Sequence, residues 1–271
     1  MESALRSLID WYERAGVDVP PLPAIKPAPR AIRAGNSASM ETKRQSLNPP
    51  TSRSDLSRGT SDTQTHKDTA QGVSNLIEAA TQAAKTAKTL EGLQVAVKKF
   101  DAGRLSDNAR GAVFSRGNLA AKLMVIGEAP SHDDDIKAEP FMGREGALLS
   151  RMLGAIGFTD DDVYLTLSVN WRLPQGRTPK AAEIDVCRPF LRRHIELAKP
   201  SHILMLGSTP MSALTDITSI MKHHGQWKNI KIGEKDIPAL PMYHPSLLLT
   251  QSDLKKDAWR DLLSLRAALA S

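Results

Sequence analysis

Short apolar runs and longer segments of helical periodicity alternate along the C-terminal part of the chain. The apolar runs have the length of buried strands and lie at 123–126, 163–169, 203–206 and 237–242. Segments with apolar residues at helical spacing lie between and after them, at 147–156, 181–198, 210–214 and 254–269. Strands separated by helices form βαβ units, in which helices cover both faces of the sheet. We therefore expect an α/β domain of three layers, α/β/α, around a mainly parallel four-stranded central sheet.

The N-terminal part of the chain divides into segments of different composition. Apolar residues at helical spacing, followed by Gly16, predict a helix within residues 1–19. Residues 20–72 contain no aromatic residue and are rich in Pro, Ser and Thr, so we expect a disordered linker that cannot offset its ordering entropy by apolar burial. Helical periodicity resumes at Val73. The folded domain is therefore expected to span 73–271, with a helical lead-in over 73–118 and an α/β core over 119–271.

Positive charge is concentrated in the linker. Residues 20–71 carry eight Lys and Arg against four Asp and Glu, which accounts for +4 of the formal net charge of +6. A basic segment can bind a polyanion without sequence preference, but solvated linkers are often basic with no ligand at all. Contact between this segment and DNA or RNA therefore stays open at this point.

The number of cysteines and the hydropathy of the chain limit the cellular compartments in which the protein is expected. The single cysteine, Cys187, excludes an intrachain disulfide and an all-cysteine metal site, and it fits a reducing compartment. No apolar run approaches the roughly 20 residues that span a membrane. Acidic residues close to the N-terminus, Glu2, Asp10 and Glu13, are atypical of a signal or transit peptide. We therefore expect a cytoplasmic protein with no membrane partner.

Polar and aromatic residues follow the predicted strands, at the edge where open parallel sheets place their working sites. The sequence Gly-Glu-Ala-Pro follows the first strand, an Arg- and Pro-containing segment the second, Gly-Ser-Thr the third and Tyr-His-Pro-Ser the fourth. Each piece alone has an ordinary structural explanation, since Gly and Pro punctuate many strand ends and acidic runs are usually solvated. Their order and spacing are far more informative than any one of them.

Taken together, these motifs resemble the uracil-DNA glycosylase superfamily, most closely its family 4. That family has Gly-Glu-Ala-Pro-Gly, an acidic stretch, Pro-Phe-Val-Gly and Gly-x-Leu-Leu, and the same spacing occurs here at 127–130, 133–135, 140–143 and 146–149. Its Arg-x-Pro, Arg-Thr-Pro, Cys-x-Pro-Phe-Leu and histidine-loop motifs correspond to 172–174, 177–179, 187–191 and 244–248. The match runs without gaps from about Leu123 to Leu206, resumes to the end of the chain, and reaches weakly back to about Leu90.

The resemblance implies the roles of three catalytic residues and of a base pocket. A glycosylase takes the base out of the stack and cuts its bond to the sugar, with positive charge on the sugar and negative charge on the departing uracil. His244 would hydrogen-bond the uracil oxygen where charge develops, and Glu128 and Asp134 would place water or stabilise the sugar cation. Phe141 would stack on the base. The remaining base-pocket residues implied are Gly127, Ala129 and Leu167.

DNA contacts are implied around the same strand ends. Backbone amides near Gly127 and Ser246 would hold phosphates, and Leu247 and Leu248 would either fill the gap left by the flipped base or simply pack in the core. Further implied contacts are Ser131, Arg177 and Ser208. The partner would be uracil-containing DNA, single- or double-stranded, bound by a monomer.

Iron–sulfur ligands are where the chain departs most from the family. The family usually binds a [4Fe-4S] cluster through four cysteines, and the matching positions here are Phe100, Gly103, Trp171 and Cys187. One thiolate cannot hold a cluster, and the large apolar residues can fill its volume. We therefore expect no iron–sulfur cluster, no other cofactor and no metal site.

Three departures from the family around the base pocket leave the identity of the substrate open. The family's uracil-reading asparagine falls at Leu167, a second asparagine falls at Gly176, and the glycine after Gly-Glu-Ala-Pro is Ser131. Our main hypothesis is a uracil-DNA glycosylase that initiates base-excision repair, favoured by the retained acidic, phenylalanine and histidine positions. The alternatives are a non-catalytic damaged-DNA-binding relative and a glycosylase for another deaminated base such as hypoxanthine.

Overall fold

A computed structural model describes residues 62–270, and for residues 62–70 it describes only the helical backbone. The helix expected within 1–19 and most of the expected linker lie outside this range. The described helices are α1 (Asp62–Thr86), α2 (Leu90–Lys99), α3 (His132–Lys137), α4 (Arg144–Ala155), α5 (Ala181–Ala198), α6 (Ser208–Leu214), α7 (Ile220–His223), α8 (Pro245–Thr250) and α9 (Lys255–Leu269). The strands are β1 (Ser115–Gly117), β2 (Leu123–Gly127), β3 (Val163–Leu167), β4 (His202–Leu206), β5 (Lys228–Ile232) and β6 (Lys235–Met242).

The sheet has six strands in the order β1-β3-β2-β4-β6-β5. Its four inner strands pair in parallel, which confirms the expected parallel core. The two edge strands, β1 and β5, pair antiparallel to β3 and β6 and were not expected from the sequence. The three residues of β1 form too short a run to be recognised, and β5 lies in a Lys-rich stretch whose buried and exposed residues alternate.

Helices cover both faces of the sheet, as expected for a three-layer domain. Met124 and Ile126 of β2 pack in one apolar cluster with residues of α1, α2 and α5. Leu123 and Val125 point to the opposite face and pack with residues of α4 and α9. This alternation follows from the two-residue period of a strand. Of the helices in residues 62–270, none combines the length and apolar character that a bilayer crossing requires.

Helix α1 begins at Asp62, eleven residues before the predicted start at Val73, and the domain boundary itself stays a prediction. The apolar stripe of α1, which includes the buried Ala80 and Ala84, packs in the same cluster as residues of α5. Once such a stripe anchors a helix, each further residue extends it at little cost, because nucleation is the expensive step. The polar residues before Val73 carry no apolar periodicity, and this part of the helix was therefore invisible in the pattern.

Candidate active site

A cleft of about 430 Å³ opens at the carboxyl ends of the inner strands. Its walls come from the segments after β2, β3 and β6, where parallel sheets usually bind their ligands. The structure brings together in this cleft six of the residues for which the resemblance implies a catalytic, base-binding or DNA-binding role: Glu128, Ala129, Ser131, Arg177, His244 and Ser246.

Behind this wall, Gly127, Phe141 and Leu167 lie in mutual contact. A Cβ on Gly127 would stand 2.5 Å from Phe141 Cζ and 2.8 Å from Leu167 Cδ2, so only glycine fits there. Phe141 and Leu167 are buried in the same apolar cluster. The ring of Phe141 lies 6.3 Å from that of His244, centroid to centroid, with 28° between their planes. The predicted stacking residue and the predicted histidine are therefore neighbours.

Phe141 has a left-handed backbone, with φ of 59°, which is costly for a residue with a bulky side chain. Arg116 opposes this cost, because its Nε donates to the carbonyl of Pro140 at 2.7 Å and its Nη2 donates to that of Phe141 at 3.4 Å. Gly146 allows the turn, since a Cβ there would stand 1.8 Å from the Phe141 carbonyl oxygen. The ring is thus held by its own loop rather than by core packing alone.

Asp134 supports this loop through hydrogen bonds to the backbone, and its catalytic role stays a prediction. It is only 3% exposed, and its Oδ1 accepts a hydrogen bond from the Met142 amide at 2.6 Å. Its Oδ2 accepts from the Ser131 amide at 2.9 Å, and the Ser131 hydroxyl accepts from the Asp134 amide at 3.2 Å. This reciprocal capping box begins α3. Both carboxylate oxygens therefore accept hydrogen bonds from the backbone, and one of these bonds holds the loop that carries Phe141.

The His244 ring is fixed by the residue two places after it. Nδ1 accepts hydrogen bonds from the Ser246 amide at 3.2 Å and from the Ser246 hydroxyl at 2.8 Å. A backbone N–H can only donate, so Nδ1 carries the lone pair and the neutral ring has its hydrogen on Nε2. Pro245 begins α8 directly after His244, and because proline has no backbone N–H, no donor is left without a partner at this position. This local structure leaves Nε2–H of His244 as a hydrogen-bond donor for a ligand in the cleft.

Glu128 is held at the start of α6. Its Oε1 accepts from the amides of Ser208 at 3.1 Å and Thr209 at 3.3 Å, while Oε2 accepts no hydrogen bond from the described residues. Gly207 has a φ of 92°, and a Cβ at this position would clash with Oε1 of Glu128, so a glycine is needed here. Sequence reasoning missed this contact, because Glu128 and Ser208 are eighty residues apart in the chain.

The predicted DNA contacts divide into exposed and buried residues. Leu248 is fully buried in the core, which favours the core-packing alternative for this residue over contact with DNA. Leu247 is half-buried, and its neighbour Leu249, which the sequence reasoning passed over, is 40% exposed. Successive residues of a helix point in different directions. Of the three leucines in α8, only Leu248 is therefore fully buried.

Arg177 borders the cleft but already has a partner. Its guanidinium forms a bidentate pair with Glu183, with Nη1–Oε2 at 2.8 Å and Nη2–Oε1 at 2.5 Å. The Arg177 hydrogen bond lowers the pKa of the Glu183 carboxyl. Ser208, another predicted DNA contact, lies half-buried beside Glu128. The contacts of these two residues with DNA stay predictions.

The four positions at which the resemblance places cluster ligands do not fit an iron–sulfur cluster. The Phe100 and Trp171 rings lie 6.1 Å apart, and Phe100 meets Phe190 edge-on at 5.0 Å. Cys187 is fully buried, and burial raises the pKa of its thiol to about 12. A cluster needs deprotonated thiolates from several cysteines. Within residues 62–270, no group of three or more His, Cys, Asp or Glu side chains is arranged to hold a metal ion.

Comparison with known proteins places this site in a family. The sequence pattern of the uracil DNA glycosylase superfamily matches residues 114–263. The chain is 35% identical over 181 residues to the type-4 uracil-DNA glycosylase of Saccharolobus solfataricus, covering 65% of this chain and 84% of that protein. It is 32% identical over 146 residues to that of Archaeoglobus fulgidus, covering 52% and 73%. It is 35% identical over 158 residues to that of Thermotoga maritima, covering 56% and 79%.

Proposed function

The chain belongs to the uracil-DNA glycosylase superfamily, and we propose that it hydrolyses the N-glycosidic bond of uracil in DNA, the first step of base-excision repair. The observation that carries the proposal is the pairing of His244, which lines the cleft, with the buried ring of Phe141 directly behind it. One ring is fixed so that Nε2–H remains available, and the other lies beside it as an apolar plane. A flipped pyrimidine needs both a stacking surface and a hydrogen-bond donor.

In this reaction the bond between C1′ of the sugar and N1 of uracil breaks, and the electron pair leaves with the base. Negative charge accumulates on the carbonyl oxygens of uracil. A donor such as His244 Nε2–H therefore binds the transition state more strongly than the ground state. Removal of one donor of this kind typically costs on the order of 10²- to 10³-fold in rate. Water then adds to C1′, and the proton that it loses balances the negative charge of the departing uracil.

We assign the sugar side of the reaction to Glu128. Two backbone amides hold one carboxylate oxygen, so the group is fixed in place before the substrate arrives. Its negative charge stabilises the cationic sugar, and its second oxygen can accept a hydrogen bond from the attacking water. Asp134 supports the same reaction indirectly, through the Met142 amide and the Phe141 loop.

We propose that the enzyme works without an iron–sulfur cluster. The supporting observations are the single cysteine of the whole sequence and the contact between the Phe100 and Trp171 rings. We also propose that it acts as a cytoplasmic monomer on single- or double-stranded DNA, in keeping with a single cysteine, which fits a reducing compartment.

Leu167 favours a second candidate, a glycosylase for another deaminated base such as hypoxanthine. Its buried side chain offers no hydrogen bond to a base edge. The test is cleavage of single- and double-stranded oligonucleotides that carry uracil or hypoxanthine, followed by alkali to break the strand at abasic sites. Strand breakage at uracil supports the main proposal, breakage only at hypoxanthine supports the second, and breakage at neither supports a non-catalytic damaged-DNA-binding protein.

A further inference from the structure

The predicted base pocket lacks a group that reads the polar edge of uracil. That edge presents the N3–H donor beside the O4 acceptor, and leaving either unpaired in a desolvated pocket opposes binding. Leu167 supplies neither partner. Asn170, three residues further along, is buried and uses its amide to donate to the carbonyl of Val113 at 2.9 Å. The edge must be read by another residue if uracil is the substrate.

Gln175 is the one side-chain amide among the described residues that line the cleft. An amide offers an acceptor oxygen and a donor nitrogen in one plane, which complements N3–H and O4 together. Gln175 is exposed, and its side chain makes no hydrogen bond to any residue within 62–270. Its amide is therefore free to meet a ligand, in contrast to the nearby Arg172 and Arg177, which are engaged in ion pairs.

The backbone of Gln175 is also held in an unfavourable conformation. Its φ of 56° and ψ of 17° lie in the left-handed region, inside the short turn Pro174–Gly176. Glycine takes this conformation without steric cost, whereas a residue with a Cβ does not. The side chain packs against no core and forms no bond that would offset the cost. Strain of this kind at the edge of a cleft is typical of residues whose side chain serves a ligand.

We propose that Gln175 contacts the flipped base and pairs with the polar edge of uracil. Its amide oxygen accepts from uracil N3–H, and its amide nitrogen donates to O4. This inference rests on the proposed uracil activity and adds a residue that reads the base.

The test compares Gln175→Gly with Lys199→Gly in the full-length protein. Lys199 also has a left-handed backbone, with φ of 53°, but it ends α5 at the opposite edge of the sheet. Both changes should relieve strain and leave the melting temperature equal or higher. Only Gln175→Gly should slow single-turnover release of uracil, by about 10- to 100-fold, because the base edge loses its partners. Gln175→Glu, which keeps the shape but loses the donor, should also be slowed.

A rescue separates base reading from other effects. Leu167→Asn supplies an amide inside the pocket and should restore uracil release in the Gln175→Gly background. Active wild type with unchanged release in Gln175→Gly would overturn this inference and leave the proposed function standing. Loss of rate together with a lower melting temperature would make Gln175 a structural turn residue and also overturn it. Absence of uracil release by the wild type would overturn the proposed function and this inference together.

Discussion

The amide of Met142 donates to Asp134 Oδ1 at 2.6 Å, and this contact connects the acidic motif of the sequence with the loop that holds Phe141. Asp134 and Phe141 come from two separate motifs of the sequence, the acidic stretch and the Pro-Phe segment. In the fold they act as one unit, in which the carboxylate supports the backbone that presents the ring.

We expect Asp134→Ala to destabilise the domain by roughly 2–4 kcal/mol, because it leaves the amides of Ser131 and Met142 without partners. Asp133→Ala is the matched control, since Asp133 is exposed in the same helix and its loss should change stability by less than about 0.5 kcal/mol. Urea unfolding of the three proteins measures both effects. Equal midpoints for wild type and Asp134→Ala would exclude this supporting role.

The buried His194 should make the domain less stable in mild acid. Burial lowers the pKa of its imidazole from 6.5 to about 3, where it stacks on Phe114 and shares a hydrogen bond with the Tyr164 hydroxyl. Above the unfolded pKa the ring is neutral in both states, so its contribution is complete. As pH falls from 6.5 toward 3, His194 becomes protonated in the unfolded chain but stays neutral in the folded one. The free energy of unfolding therefore falls by up to about 1.4 kcal/mol per pH unit.

Replacement of His194 tests this titration. His194→Gln keeps a polar partner for Tyr164 but no longer titrates, so its unfolding free energy should depend less on pH between 7 and 5 than that of the wild type. Urea midpoints at both pH values give the comparison. A variant as acid-sensitive as the wild type would assign the sensitivity to other groups.

The purified protein should be colourless and contain no stoichiometric iron. Three of the four ligand positions carry no sulfur, and aromatic rings occupy two of them. Metal analysis and absorbance near about 400 nm, where thiolate–iron charge transfer absorbs, provide the measurement. A brown protein with several iron atoms per chain would refute the prediction.

Truncation should separate the basic N-terminal segment from the folded domain. Removal of residues 1–61 stops before α1 and should leave the melting temperature nearly unchanged, whereas removal of 1–86 also deletes the helix that buries Ala80 and Ala84 and should destabilise it strongly. Residues 20–61 carry seven Lys and Arg against two acidic residues. The shorter truncation should therefore reduce the salt dependence of non-specific DNA binding. An unchanged salt slope would exclude an electrostatic contact by this segment.

Features of the fold that depend on neighbouring residues in the chain could be predicted from the sequence. The apolar runs predicted all four parallel strands, and motif order predicted that Phe141 and His244 share one rim. The remaining features depend on distant contacts. Glu128 meets Ser208 only once β2 and β4 lie side by side, and the burial of Leu248 depends on how α8 is turned against the core. The left-handed backbones of Phe141 and Gln175 have no signature in residue type, because neither residue favours that conformation.

Single-turnover release of uracil from a single-stranded oligonucleotide tests the central claim most directly, with wild type, His244→Ala and His202→Ala compared. His202 lies at the amino end of β4, the opposite edge of the sheet, so its variant controls for the loss of any histidine. We expect wild type and His202→Ala to release uracil at similar rates. His244→Ala should be slower by about 10²- to 10³-fold, because Nε2–H no longer stabilises the departing base. Equal rates for His244→Ala and wild type would contradict the assignment of this histidine and of the site built around it.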